Sequence, residues 1–305
     1  MLSLHQLRCF LAAYEHGSFT TAATALGLTQ PSLSEQIRLL ERTLRTTLFD
    51  RVGRGVVPTE AARALRPHAE TTLAAADTAR DAVAAVSSLE TGTVRFGMFG
   101  AARLYPGAAL VADVLERHPG LRVELVGTNS TVVIDELRQG RLQAAVVAIP
   151  VVDESLAVRP IARDELVYVS ADPARTSQPV TPKRVSEAPL ALSDASFREV
   201  DSVRRTLAGW LQRDGRTASS RVEVEDVETA LAVVQRGLAD TVLPLGGLEA
   251  LRSTVARGLP PVSLRPRLYE TIAIVHRPDA VLSPATRLVI ELATARIREV
   301  AEPVH

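Results

Sequence analysis

The segment Gln30-Pro31-Ser32-Leu33-Ser34-Glu35 sets small polar groups where a core helix would carry leucines. The chemistry on offer is hydrogen bonding. A helix with a polar leading end and a greasy far face is built to push that end into something. The DNA major groove admits one helix, whose leading residues meet base edges. Gln30 can bond an adenine bidentately, Pro31 can give apolar contact to a thymine methyl, and Arg38, a turn later, can reach phosphate. Glu35 repels phosphate but can accept from cytosine N4, so it either alters base preference or points away.

No set of residues suits catalysis in the same way. His5, His16, His68, His118, His276 and His305 are scattered, and none forms a metal-binding pair of the H-x-x-H or H-E-x-x-H kind. There is no C-x-x-C and no G-x-S-x-G, and Gly97 and Gly100 lack the third glycine of a dinucleotide loop. An enzyme is therefore not expected, nor is a metal or a cofactor.

The polar tip needs a helix to carry it. Leu4, Leu7, Leu11 and Tyr14 make a first helical stripe. Ser18 is placed to cap a second helix bearing Ala22, Ala23 and Leu26, which Gly27 ends as a C′ glycine. Thr29 then caps a third helix with Pro31 in its first turn, and Leu33, Ile37, Leu40 and Leu44 form its buried stripe. Helix, tight turn, helix at this spacing is the helix-turn-helix pattern. Residues 48–59 follow as a short hairpin turning at Gly53-Arg54-Gly55, with Arg51 and Arg54 at its tip within reach of a phosphate backbone.

Residues 59–89 read as one helix of roughly 45 Å. Ala62, Leu65, Ala69, Thr72, Ala76, Ala79, Val83 and Val86 alternate by three and four, a heptad seam. One small domain cannot hide so long a seam, so the helix is expected to pair with another chain. Pro67 predicts a kink or a late start.

Beyond Gly92, apolar runs alternate with helical patterns. The order 93–98, 104–118, 121–126, 130–139, 144–149 is βαβαβ and predicts a parallel sheet. A second set uses strands at 166–170, 190–193, 221–224 and 241–244, with helices near 201–213 and 226–237. A strand at 270–276 and a helix at 284–300 close the chain, and the Pro- and Arg-rich stretch 257–267 reads as a crossing between lobes.

The totals leave the partner open. The chain has 305 residues, 46% of them apolar, with 35 basic and 35 acidic side chains. Lys183 is the only lysine and Cys9 the only cysteine, so no internal disulfide is possible. No signal peptide and no run of about 18 apolar residues are visible, so a cytoplasmic protein without a membrane span is expected. Residues 1–60 hold six arginines (Arg8, Arg38, Arg42, Arg45, Arg51, Arg54) against five acids (Glu15, Glu35, Glu41, Asp50, Glu60). One domain so weakly charged makes few phosphate contacts, so useful affinity needs several domains on one site.

Together the motifs S-F-T-x-A-A (18–23), L-x-x-T-Q-P-S-L-S (26–34), Q-I-x-x-L-E (36–41), L-F-x-R (48–51) and G-x-x-x-T-E-A (55–61) closely resemble the winged helix-turn-helix of LysR-type transcriptional regulators. Weaker likenesses, HPGLRVEL (118–125), LRQGRLQAAVV (137–147) and LSPATRLVIEL (282–292), extend over essentially the whole chain. The resemblance implies a multi-domain α/β protein. It would have a winged helix-turn-helix at 1–58, a linker and dimerisation helix at 59–89, and an effector domain at 90–305 resembling periplasmic binding proteins. Lobe I of that domain would be 91–161 with 268–305, and lobe II 162–267. DNA contacts would fall on Ser18, Thr20, Thr29, Gln30, Pro31, Ser32, Ser34, Glu35, Arg38, Arg51 and Arg54. Glu35 stands where the family often has arginine, and Arg45 where it usually has glycine. The implied partners are double-stranded promoter DNA, RNA polymerase and further copies of the chain, as a dimer through the linker helix and a homotetramer.

The resemblance also implies a small-molecule effector between two lobes, where strand ends meet. The loops there hold Phe99, Gly100 and Ala101; Thr128, Asn129 and Ser130; Ala148 and Ile149; Ser196 and Phe197; and Val227. Asn129 and Ser130 open a helix, whose free N–H groups favour an anion. Ala101 lacks the hydroxyl common in the family; either Arg103 replaces it or the effector is less polar, since Phe99, Ile149, Phe197 and Val227 would make the cleft fairly apolar. Residues 91–305 alone would suggest an exported solute-binding protein, which would carry neither the helix-turn-helix nor a cytoplasmic address.

Overall fold

The computed structural model describes residues 2–52, 55–87, 92–104, 106–149, 155–278 and 280–304. Packing divides the chain into a first unit, 1–86 with 138–141, and a second unit formed by the remainder.

In the first unit, α1 (Leu4–His16) opens on a capping box. The Ser3 hydroxyl accepts from the Gln6 N–H, and the Gln6 side chain accepts from the Ser3 N–H. α2 (Phe19–Ala25) is capped by Ser18 and α3 (Gln30–Leu44) by Thr29, whose hydroxyl accepts from the Ser32 N–H at 3.4 Å. Leu33, Ile37 and Leu40 are buried against Leu7, Phe10, Ala22 and Ala23, so the small alanines let α2 approach closely. β1 (Phe49–Val52) pairs antiparallel with β2 (Gly55–Pro58). The hairpin docks on the corner after α1: the Val56 N–H donates to the Gly17 carbonyl at 2.8 Å. A Cβ on Gly55 would come within 2.9 Å of that same oxygen, which is why glycine stands there.

α4 (Glu60–Ser87) runs 28 residues with Pro67 inside it, so the late start expected from that proline does not occur. The seam is also shared differently than expected. Its first half belongs to the unit's own core: Ala62 and Ala69 are buried there, with Leu65 and Leu73 packed alongside. The Arg66 guanidinium lies 5.0 Å from the Tyr14 ring centroid, and Arg8 reaches Asp77 at 3.6 Å. Thr72 and Ala79, further along, are exposed.

The second unit begins with β3 (Gly92–Met98), α5 (Gly100–Leu104), α6 (Gly107–Arg117), β4 (Leu121–Val126), α7 (Ser130–Arg138) and β5 (Ala144–Ile149). It continues with β6 (Ala157–Val169), α8 (Pro173–Thr176), α9 (Pro182–Glu187), β7 (Leu190–Leu192), a 3-10 turn (Ala195–Phe197) and α10 (Ser202–Gln212). β8 (Ser220–Glu223), α11 (Val227–Gln235), β9 (Thr241–Pro244), α12 (Leu245–Ala250), β10 (Pro261–His276), α13 (Pro284–Val300) and β11 (Glu302–Pro303) complete it.

The parallel expectation for the strands within 93–149 holds. β3 pairs parallel with β4 and β5, and β7 with β8. β10 instead lies antiparallel to β5 and β6, and β6 antiparallel to β9 and β11. From Pro261 the stretch 257–267 is strand, part of a 16-residue β10. β6 and β10 stay paired from Ala157↔His276 to Val169↔Pro261, with a shift in register between Ser263 and Leu268. They serve two lobes. One has a core of Phe96, Met98, Leu110, Val146 and Ile274, and the other a core of Leu166, Tyr168, Trp210 and Leu264.

Candidate nucleic-acid interface and effector cleft

α3 presents its two faces as the pattern demanded. Gln30, Pro31 and Ser32 are exposed and Ser34 half-buried, while Leu33, Ile37 and Leu40 are at most 2% exposed. Thr20 and Thr29 are exposed and Ser18 is half-buried. The Ser18 and Thr29 hydroxyls accept from backbone N–H groups, so each positions a helix while keeping a proton to donate. Arg54 and the Arg51 side chain lie outside the described residues.

The question over Glu35 is answered within its own helix. Its carboxylate accepts from Arg38 and, at 3.4 Å, from Arg42. The acid therefore pairs with Arg38, the arginine expected to reach phosphate, and with Arg42. Such exposed pairs are weak, roughly 0–1 kcal/mol, so phosphate can compete for them. Arg45 ends α3 with φ 55, a left-handed backbone that glycine adopts without strain. Sequence reasoning missed Glu41 as an organiser: its Oε1 accepts from the Leu48 N–H at 2.7 Å and the Phe49 N–H at 3.4 Å, tying α3 to the hairpin. The fixed spacing from Glu41 to Leu48 was the available signal.

In the second unit a cavity of about 340 Å³ opens between the lobes. It lies at the carboxyl ends of β3 and β4. Phe99, Gly100, Arg103, Thr128, Asn129, Ser130, Phe197 and Val227 line it, as expected. Gly127 makes the loop possible. Its φ is +113, and a Cβ there would meet Val133 at 2.3 Å and the Met98 carbonyl at 3.0 Å.

Three expected residues are placed elsewhere. Ala148 is buried and donates its N–H to the Ser130 hydroxyl at 3.0 Å. Ile149 sits in the sheet opposite Thr271. Ser196 is exposed and bonds Glu225 Oε1 through both its N–H and its hydroxyl. The Ala101 side chain lies outside the described residues.

The helix end expected to favour an anion opens on a cavity rich in acids. Asp194, Asp201, Glu225, Asp226, Glu228 and Glu270 line the cavity, against Arg103, which is exposed. Burial pushes Asp194 above the ordinary carboxylate range, although Ser193 and Asn129, the latter from the opposite lobe, hold it down. Burial and the neighbouring Asp194 push Asp201 up to about 6. Glu270, wholly buried, is pushed up to about 8 despite the Ser202 hydroxyl, which donates to its Oε1. Period-two alternation was the missed signal. Glu270 shares its sheet face with Ile272 and Ile274, so its parity marked a buried carboxylate.

Comparison with known proteins names both parts. Residues 4–63 match the family described as bacterial regulatory helix-turn-helix protein, lysR family, and residues 87–298 match the LysR substrate binding domain. The chain belongs to the LysR family. It is 36% identical over 169 residues to the HTH-type transcriptional regulator ShiR of Corynebacterium glutamicum (strain R), covering 55% of this chain and 57% of that protein. It is 27% identical over 300 residues to the HTH-type transcriptional regulator IlvR of Caulobacter vibrioides, covering 96% of this chain and 99% of that one. Among solved structures, a full-length variant of OxyR from Pseudomonas aeruginosa superposes with a TM-score of 0.73 at 20% identity, covering 100% of this chain and 98% of that one. Full-length CbnR in complex with its target DNA gives 0.70 at 19% identity, with 98% and 100% covered. This LysR chain is thus a DNA-binding transcriptional regulator with an effector-binding domain. No helix among its described residues is long and apolar enough to cross a membrane.

Proposed function

We propose that this regulator reads promoter DNA through the tip of α3 and answers to a small molecule in the acidic cleft, catalysing nothing and needing no cofactor. Residues 1–58 read DNA, 59–89 pair the chains and 90–305 bind the effector. The observation that carries this reading is the division of α3 into an exposed Gln30-Pro31-Ser32 tip and a buried Leu33-Ile37-Leu40 back. Gln30 and Ser32 meet base edges, and Arg38, freed from Glu35, meets phosphate. Thr72 and Ala79, exposed on α4, support pairing with a second chain through the later part of that helix. Two such dimers form a tetramer across an interrupted palindrome in the cytoplasm. The effector changes the spacing of the DNA-binding pairs, and so polymerase access, only if it binds two arrangements unequally.

Gel-shift titration of the full chain on promoter DNA tests this. The double variant Gln30→Ala, Ser32→Ala should lose specific retardation with an unchanged melting curve. Undiminished specific binding by that variant would remove the assignment of the tip. Deleting 59–89 should cost far more affinity than Arg54→Ala, because it separates the two readers.

A further inference from the structure

We propose that the cleft takes an organic cation, a primary ammonium or guanidinium group carried on an apolar body. This rests on the reading of the cavity as the effector site. The Glu270 side chain is the central observation. It is 2% exposed and lines the cavity, and its Oε2 has no hydrogen-bond partner. A buried carboxyl oxygen left unpaired is costly, and once Glu270 is ionised this atom calls for a donor that the protein does not itself supply.

The surroundings specify the sign of that donor. Asp201, Asp194 and Asp164 act electrostatically on Glu270 from the start of α10, the turn after β7 and the middle of β6. Ser202 donates to its other oxygen. Arg204 turns away, bonding the Ser193 and Leu192 carbonyls at 2.6 and 3.2 Å. The Ser130 end of α7 offers at most about half a positive charge, against several carboxylates. Once these groups are ionised, an anion in this cavity would meet repulsion on most sides.

A metal ion suits the geometry less well than an extended organic cation. No group of three or more His, Cys, Asp or Glu side chains among the described residues converges closely enough to hold one. The acids share the cavity lining with Phe99, Phe197, Val227 and Leu243. That combination fits a charged head reaching Glu270 and a hydrocarbon or aromatic body lying on the phenylalanines.

The proton inventory predicts how binding depends on pH. Without a cation, burial keeps Glu270 protonated until about pH 8 and Asp201 until about pH 6. An arriving ammonium stabilises the ionised forms, so binding releases protons and tightens as pH rises. An anionic ligand would do the reverse.

Calorimetric titration of the full chain with agmatine, 1,5-diaminopentane and tyramine, at pH 6 and pH 8, is the test. Glutarate and 3-phenylpropanoate serve as carboxylate counterparts. At least one amine should bind, with Kd falling by up to about tenfold per pH unit for each proton released. Glu270→Gln should lose tenfold or more in affinity and flatten the pH dependence. Asp226→Asn, at the exposed rim, should weaken binding less and guards against a folding defect in the buried variant. Binding of a carboxylate that weakens with pH, or no binding by any of the three amines at millimolar concentration, would overturn the proposal. Val227→Trp, which narrows the cavity, separates the two readings. Carboxylate binding lost in that variant sinks only the cation, whereas binding of any probe that survives it sinks the cleft as effector site.

Discussion

α3 and the cleft handle polar groups in opposite ways. α3 places its polar groups outside, in water, and spends its apolar residues on a small core beneath them. The cleft buries its carboxylates and leaves one oxygen unpaired, at Glu270. The first arrangement costs little to maintain and waits for a partner that brings its own charges. The second holds unfavourable electrostatics in the fold, which a ligand of the right sign relieves. Recognition at a surface is thus written in exposure, and recognition in a cavity in unmet demand.

The comparison can be broken at several points. The largest effect should come from Leu40→Ala, which removes a fully buried side chain from the core behind α3. Such cavities cost about 2–5 kcal/mol. Hydrogen exchange should show lost protection in the first unit while the second unit's protection is retained.

Next comes Glu270→Gln in the second unit. The Glu270 pKa in the folded state, about 8, stands above its ordinary value of 4.5. Its protonation therefore favours folding fully below about pH 4.5, and that contribution fades as pH rises through about 8. The Gln variant should melt higher than the parent at pH 8, with the gap closing toward acid. Thermal melts across this range would show it, and a gap of opposite slope would mean that the carboxylate is not held neutral. Asp201, pushed up to about 6, should leave a residual slope below that pH in both proteins.

Gln30→Ala should cost about 1–3 kcal/mol of specific DNA affinity and relax preference at one base position, with nonspecific binding unchanged. Competition gel shifts against singly substituted operators would measure it. Arg45→Gly should raise stability by about 1 kcal/mol, because the left-handed backbone at φ 55 is strained for arginine. Chemical denaturation followed in the first unit would read that gain.

The smallest change is Glu35→Gln. Releasing Arg38 and Arg42 should steepen the salt dependence of DNA binding by about one charge. Stability should shift by less than about 1 kcal/mol, since the pairs are exposed.

These two regions were not equally legible in the amino-acid sequence. The reading tip is specified by local signals within a few dozen residues. Ser18 and Thr29 cap, Gly27 terminates, and Leu33, Ile37 and Leu40 repeat with the helical period. The cleft brings together Asn129, Asp194, Asp201, Glu225 and Glu270, which are distant in sequence and meet only through tertiary folding. No pattern of spacing announces such a meeting. The loops after β3 and β4 were found because strand ends in an α/β fold are predictable. Ala148, Ile149 and Ser196 fall outside the cavity lining because the same rule does not say which strand-end residues turn into the sheet or the solvent. The antiparallel course of β10 escaped for a similar reason: an apolar run carries no direction.

The two long strands have a mechanical consequence. β6 and β10 pass from one lobe to the other while remaining hydrogen-bonded to each other at both ends. Sliding the lobes would break that ladder, whereas winding or unwinding the pair would not. They act as a torsion bar whose ladder is irregular between Ser263 and Leu268 and again between Ile272 and Ala273. A molecule gripping both walls of the cavity has one way to do work on the protein, which is to change the twist of that bar.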